Sequence, residues 1–320
     1  MKSRYKKKRR WYIFDHFQSQ MAPLDVSVVI PTYNRASCIL RAVQSVLNQN
    51  DVSFELIIID DGSTDQTQEL IAPFLNSDPR IQYFFKSNEG PSSARNLGIK
   101  KSKAPFIAFL DSDDEWLPGK LKNQIDFLNH QRDLLICQTD EIWIRNGKRV
   151  NPMKKHKKFG GDIFEKCLPL SIVSPSCVMM RKEFFDQIGL FDESLPACED
   201  YDLWLRASAR FPIGFIEKNF VIKYGGHSDQ RSREFLVMDR FRIQALVKLL
   251  ESGISSESKR QSVVSELSKK CEIVQNGSLK RGKIEEAEYY RVIARRFEEP
   301  TKPASPAGGQ SDTKCHPRML

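Results

Sequence analysis

The feature that most limits what this chain can fold into is the apolar run FIAFL, residues 106–110, which stops at three carboxylates, Asp111, Asp113 and Asp114. An unbroken apolar run of this length suits a strand buried on both faces. The charge then sits at the strand's carboxyl end. Ligands of open α/β sheets collect outside the carboxyl ends of the strands, which directs Asp111 and Asp113 into a crevice. Two carboxylates one residue apart suit a hard cation that prefers oxygen. Aspartates after a strand also make turns and cap helices, and this stretch alone leaves both uses open.

The chain upstream repeats one pattern: an apolar run, a polar turn, then apolar residues at helical spacing. The pattern predicts strands over 26–30, 56–59, 81–85 and 106–110, with helices over 37–47, 65–75 and 92–101. Such alternation implies a mostly parallel sheet covered by helices on both sides, so every strand ends at one rim. The first rim position carries PTYNR, residues 31–35, and the second carries DDGSTDQT, residues 60–67. Capping accounts for Ser63, Thr64 and Asp65 but not for the adjoining Asp60 and Asp61, expected at the same edge as Asp111 and Asp113. At the third, Gly90 and Pro91 precede a helix whose free amides favour an anion, with Arg95 one turn in.

Charge narrows the function. The net charge of +9 suggests nucleic acid or an anionic membrane until it is located. Residues 1–20 carry +6 and residues 302–320 carry +2, which leaves the body close to neutral. That speaks against a nucleic-acid groove across the folded part. Seven scattered cysteines without a CxxC pair suggest reduced thiols in the cytosol. The basic start lacks an apolar stretch of signal-peptide length, and no run is long enough to span a bilayer. Trp11, Tyr12, Phe14 and Phe17 beside the basic cluster allow peripheral contact with an anionic membrane surface, a disordered tail being the alternative. Met21 is a second candidate start.

Farther on, LPACEDYDLWLR predicts a helix from about Glu199. Leu203, Trp204 and Leu205 supply its core side, and Glu199, Asp200 and Asp202 its polar remainder. Between 133 and 191, strands are expected over 134–137 and 141–144, followed by a mobile basic loop over 153–161. Pro175, Ser176, Cys177 and Val178 are expected to shape the acceptor side. Trp116 either contacts a sugar or packs on the next helix. Gly225 and Gly226, before His227, imply a tight loop able to approach a phosphate, where Arg231 and Arg233 could assist. Helices follow over 235–250, 258–274 and 283–297, punctuated by Gly253 and Gly277.

Together VSVVIPTYNR, IIIDDGSTD, NEGPSSARNLG, FLDSDDEW and CEDYDLWLR make the chain resemble the family-2 glycosyltransferases over residues 26–227. The resemblance implies a GT-A fold over 25–233, while composition and helical spacing set apart a basic tail (1–24), a helical appendage (234–298) and a disordered tail (299–320). It implies a nucleoside-diphosphate sugar donor, most simply a uridine one, with the nucleobase at Thr32, Tyr33 and Asp61 and Asp60 close by. Pro31, Asn34, Arg35, Arg95 and Ser112 would line the same donor site. Tyr33 offers an aromatic face for the base. Asp111 would lie near the ribose, and Asp113, helped by His227, would hold Mg²⁺ or Mn²⁺ against the diphosphate.

In the family pattern Asp200, with Glu199 beside it, takes the proton from the acceptor hydroxyl. A free aspartate has a pKa of about 3.9, so the role needs burial and neighbouring acids, Glu199 and Asp202, to raise it. A single displacement implies inversion, giving a β-linkage from an α-linked donor. The acceptor, whether glycan, lipid-linked or protein, is not marked in the sequence. Two alternatives share some of these features: a nucleotidyltransferase on a similar sheet, and a non-catalytic module that binds nucleotide sugar or a membrane surface.

Overall fold

In the computed structural model, which describes residues 23–226, 237–254 and 256–298, the described strands join one mixed sheet. Strands β1 (Val26–Thr32), β2 (Phe54–Asp60), β3 (Ile81–Phe85) and β4 (Phe106–Phe109) lie parallel in the order β3-β2-β1-β4. The helices α1 (Ile39–Leu47), α2 (Thr67–Ser77) and α3 (Pro91–Lys101) connect them. This half follows the predicted alternation closely, because both-face burial of β1, β2 and β4 demands the continuous apolar runs seen in the sequence.

The second half departs from it. The sheet continues through β8 (Val178–Arg181), β6 (Ile136–Arg145), β9 (Gly214–Gly225) and β5 (Glu115–Trp116), with β7 (Lys148–Val150) on β6. Here β4–β8, β8–β6, β5–β9 and β6–β7 are antiparallel and only β6–β9 is parallel, so the sheet is mixed rather than mostly parallel. The cause is local. A parallel neighbour needs a long crossover, whereas β6 and β7 are joined by Asn146-Gly147, both at positive φ, the signature of a tight hairpin turn. The two short strands expected over 134–137 and 141–144 are one strand, β6, whose register against β9 shifts around Asp140.

Alternating residues feed two cores. Val29, Ile57, Ile59, Ile107 and Phe109 pack toward α3 and α7 (Glu199–Arg210), and Val28, Ile30, Leu56, Ile58 and Ala108 toward α1 and α4 (Lys120–His130). The chain completes these layers with α5 (Phe164–Cys167) and α6 (Glu183–Ile188). A helical extension follows: α8 (Asp239–Glu251), α9 (Glu257–Lys280) and α10 (Ile284–Glu298). Leu246, Leu267, Val274 and Tyr290 join the same core cluster as Trp204, so this extension packs back on the sheet-bearing part. Gly277 does not end a helix as expected; it lies inside α9, and the left-handed Gly282 makes the turn. No helix among the described residues is long and apolar enough to cross a membrane. The readings on residues 1–22, Met21, His227, Arg231, Arg233 and 299–320 lie outside the described residues.

Gly98 sets how closely α3 approaches β1. A Cβ there would lie 2.2 Å from Cγ1 of the buried Val29. Alanine improves helix propensity by up to about 1 kcal/mol, but overpacking against a stiff, fully buried valine costs about 1–3 kcal/mol. Gly98→Ala is therefore expected to lower stability, read as a drop in the urea midpoint at unchanged slope.

Candidate active site

The first two rim turns are stitched into one platform. Asn34, held at φ +50°, donates its backbone N–H to Ser63 Oγ at 2.8 Å, and its Oδ1 accepts from the Thr64 amide at 2.8 Å. The Arg35 amide donates to Thr67 Oγ1 and the Ala36 amide to Asp65 Oδ2. These bonds give Asn34 and Asp65 structural tasks. Pro31 and Thr32 are buried at the end of β1, whereas Tyr33 stands 45% exposed at the rim with its ring open to a planar group. Thr32 Oγ1 is buried without a hydrogen-bond partner.

Asp60 and Asp61 diverge. Asp60 accepts from the Ser63 amide at 2.7 Å and from the Tyr83 hydroxyl at 2.5 Å. Asp61 accepts from Lys86 Nζ at 2.9 Å and from the amides of Glu89 and Gly90 at 3.0 and 2.7 Å. Turn-building thus occupies both carboxylates, a use the capping argument had missed. Asp61 also supplies negative charge just ahead of α3, where the sequence suggested an anion.

The acidic turn after β4 rests on the second half of the sheet. Ser176 Oγ accepts from the Asp111 amide at 3.1 Å and donates to Asp114 Oδ2 at 2.6 Å. Ser176, expected on the acceptor side, therefore buttresses the acidic turn. Burial, with Asp113 and Asp111 adding to it, drives the Asp114 carboxyl well above the ordinary range despite Lys223. The bond that Asp114 accepts from Ser176 braces the turn. Desolvation also works against an ionised Asp111, but Arg95 and Lys223 outweigh it and hold that carboxyl below its ordinary value. Lys223, on β9, bonds Ser174 Oγ at 3.0 Å. Its contribution has no signature in the linear sequence, because the pairings of β9 with β5 and β6 carry it here. Arg41 of α1 donates to the Asp113 carbonyl at 2.8 Å while lying over the Tyr224 ring.

Arg95 joins the two sets of acids. Its side chain is 7% exposed, and it donates through Nη2 to Asp111 Oδ1 and through Nη1 to Glu199 Oε1, both at 2.8 Å. It does not present itself to an external anion, as its place near a helix start suggested. Glu199 opens α7 directly after Cys198, a non-glycine residue at φ +63°. Backbone held in that region costs about 1–3 kcal/mol and persists where the surroundings enforce it. The strain delivers Glu199 and Asp200 to the site together.

Asp200 accepts from Ser171 Oγ at 3.2 Å. Burial, then Glu199, raises its carboxyl to about 6 against the pull of Arg95. Asp202 is engaged elsewhere. It faces away, 1% exposed at its side chain, bonding Arg206 at 2.7 Å and Lys248 at 3.1 Å. Trp116 is 2% exposed and donates Nε1–H to the Ser176 carbonyl, so of its two uses the packing one holds. Ser112 is buried within the acidic turn.

Among the described residues no three His, Cys, Asp or Glu side chains converge as a ready-made metal cage. Magnesium and manganese do not require one, since one or two carboxylates plus substrate phosphates and water usually complete their shell. Partly exposed Asp113, at the mouth of the turn, has the donor chemistry for such a shared site.

A family model described as "Glycosyl transferase family 2" matches residues 27–189. An uncharacterized glycosyltransferase of Rickettsia bellii is 41% identical over 193 residues, covering 60% of this chain and 28% of the relative. One of Rickettsia typhi is 33% identical over 224 residues, covering 68% of this chain and 69% of the relative. The chain thus spans well under half of the Rickettsia bellii protein. The crystal structure of Staphylococcus aureus TarS 1–349 in complex with UDP-GlcNAc superposes with a TM-score of 0.68 at 22% identity, covering 86% of this chain and 80% of that one. At that identity the likeness concerns the fold.

Proposed function

The chain belongs to glycosyltransferase family 2, and on that premise we propose that it transfers a sugar from a nucleoside diphosphate, a uridine one, to an acceptor hydroxyl with inversion. The observation that carries the reading is the Arg95 bridge, which brings the strand-end Asp111 and the Glu199-Asp200 pair to one place. Tyr33 and Thr32 would face the base. Asp111 would meet the ribose, and Asp113 would share the divalent ion with the diphosphate. The ion, when bound, offsets the negative charge that grows on the leaving diphosphate. UDP seen with TarS supports the choice of base.

Asp200 accepts the acceptor's hydroxyl proton as that oxygen bonds to the anomeric carbon. The bond from that carbon to the diphosphate breaks in the same step, and the nucleoside diphosphate departs. A carboxyl raised to about 6 is a far better base at neutral pH than an ordinary aspartate. A nucleotidyltransferase would leave the Glu199-Asp200 pair without a task. Release of nucleoside diphosphate rather than pyrophosphate separates the two.

The test is calorimetry with UDP and Mn²⁺. The parent is expected to bind UDP with a clear requirement for the ion, and Asp113→Asn to lose that requirement together with at least about tenfold in affinity. Metal dependence that survives in Asp113→Asn would remove Asp113 from the site.

A further inference from the structure

The β6–β7 hairpin and the turn after it carry a charge pattern that the donor site does not use. Between residues 145 and 158 there are seven lysines and arginines and no acid. Arg145, Lys148, Arg149, Lys154, Lys155 and Lys157 are exposed. Within this run, among the described residues, only Lys158 forms an ion pair, with Glu141 at 3.4 Å. The near-neutral body therefore concentrates unpaired positive charge on one projection. His156 registers that field: burial first, then Lys155, Arg145 and Lys158, lower its pKa against Glu141.

The projection is anchored beside the proposed base. Lys158, 4% exposed, donates to the Ile172 carbonyl at 3.3 Å, and the preceding residue, Ser171, bonds Asp200 at 3.2 Å. Trp143 fixes the other limb: it donates to Glu141 at 2.7 Å and packs on His156 with ring centroids 5.0 Å apart. Arg145 pairs in register with Gly225 of β9, at the carboxyl end of both strands. Lys158 thus ties the end of the basic run to the segment that bonds Asp200.

We propose that this basic projection binds the acceptor, and that the acceptor is a glycan chain bearing phosphate or carboxylate groups. The assignment rests on the glycosyltransferase reading, since only an acceptor needs to lie beside the base. Exposed cations without acidic partners attract a polyanion and lose that attraction as salt screens them. A lipid surface fits less well. Met153 is the one large apolar side chain of the run that stands open, at 61% exposure, and a flat bilayer offers no strand to thread toward Asp200.

The experiment compares the full chain with the variant K148Q/R149Q/K154Q/K155Q/K157Q. Retention is measured on polygalacturonate, on poly(glycerol phosphate), on neutral dextran and on phosphatidylglycerol vesicles, with UDP affinity and melting temperature followed in parallel. The parent is expected to bind at least one of the two polyanions at low salt, and dextran not at all. The variant should lose about tenfold or more of that affinity while its UDP affinity and melting temperature stay at the parent values. The stronger of the two polyanions distinguishes phosphate from carboxylate. Equal polyanion binding by parent and variant would overturn the proposal, as would dextran binding as tight as that of the polyanions. Binding to vesicles alone, lost in the variant, would assign the projection to a lipid surface instead. A parent that binds no UDP overturns the uridine-donor reading of the site on which the acceptor assignment rests, on a signal separate from polymer retention.

Discussion

Asp200→Asn is expected to lower sugar transfer by about 10²–10⁴, the usual worth of a positioned base, while UDP affinity stays at the parent value. The amide keeps the shape and the Ser171 contact but cannot take a proton. A second consequence has the opposite sign. The Asp200 carboxyl sits at about 6 in the folded protein against an ordinary 3.8, so the folded state binds its proton more tightly than the unfolded state does. Its contribution to stability is complete below the ordinary value and is lost as pH rises through about 6, a loss on the order of 1–3 kcal/mol. Above that pH the ionised side chain is a burden on the fold, and the neutral amide removes it. The variant should therefore melt higher than the parent at pH 7.5 and close to it at pH 4. Parent transfer should fall on the acid side of about pH 6, with this limb absent from the variant's residual rate. Transfer at the parent rate in the variant would pass the role of base to Glu199.

The first half of the fold was legible because its physics is one-dimensional. Strands buried on both faces must be runs such as LIIID and FIAFL, and the turns between them must be polar. The second half obeys pairings that no local pattern announces. Ser176 reaches Asp111 and Asp114 from some sixty residues away, and Lys223 reaches the same turn from the far strand β9. The motifs identified the acids but not their partners. That is why Asp60 and Asp61 looked unexplained until Tyr83, Lys86 and the Gly90 amide were in place. Asp202 shows the reverse error. Two residues from Asp200 in sequence, it lies on another side of the helix and serves Arg206 and Lys248. The Asn146-Gly147 pair was a readable hairpin signal, and it would have joined β6 to β7.

Arg95→Met should be the most damaging single change to both fold and site. It removes the shared cation from Asp111 and Glu199 and leaves two carboxylates in a poorly hydrated position. Breaking a buried pair by deleting one partner costs about 3–5 kcal/mol, because the surviving charge is left uncompensated. At about 2–4 °C per kcal/mol for a domain of this size, the melting temperature should fall by roughly 10 °C. Arg95→Lys keeps the charge but not the fork, so it can serve one acid at a time and should lose part of the stability together with most of the transfer rate. A double variant separates structure from chemistry. Glu199→Gln neutralises one of the two stranded acids, so Arg95→Met/Glu199→Gln should melt above Arg95→Met, with a coupling of about 0.5–3 kcal/mol between contacting sites. Transfer should not return, since Asp111 would still lack its partner and Asp200 the neighbour that raises it. Independent, additive effects of the two changes on melting would mean that Arg95 does not couple the donor acids to the base, and the bridge would lose its place as the organising contact of the site.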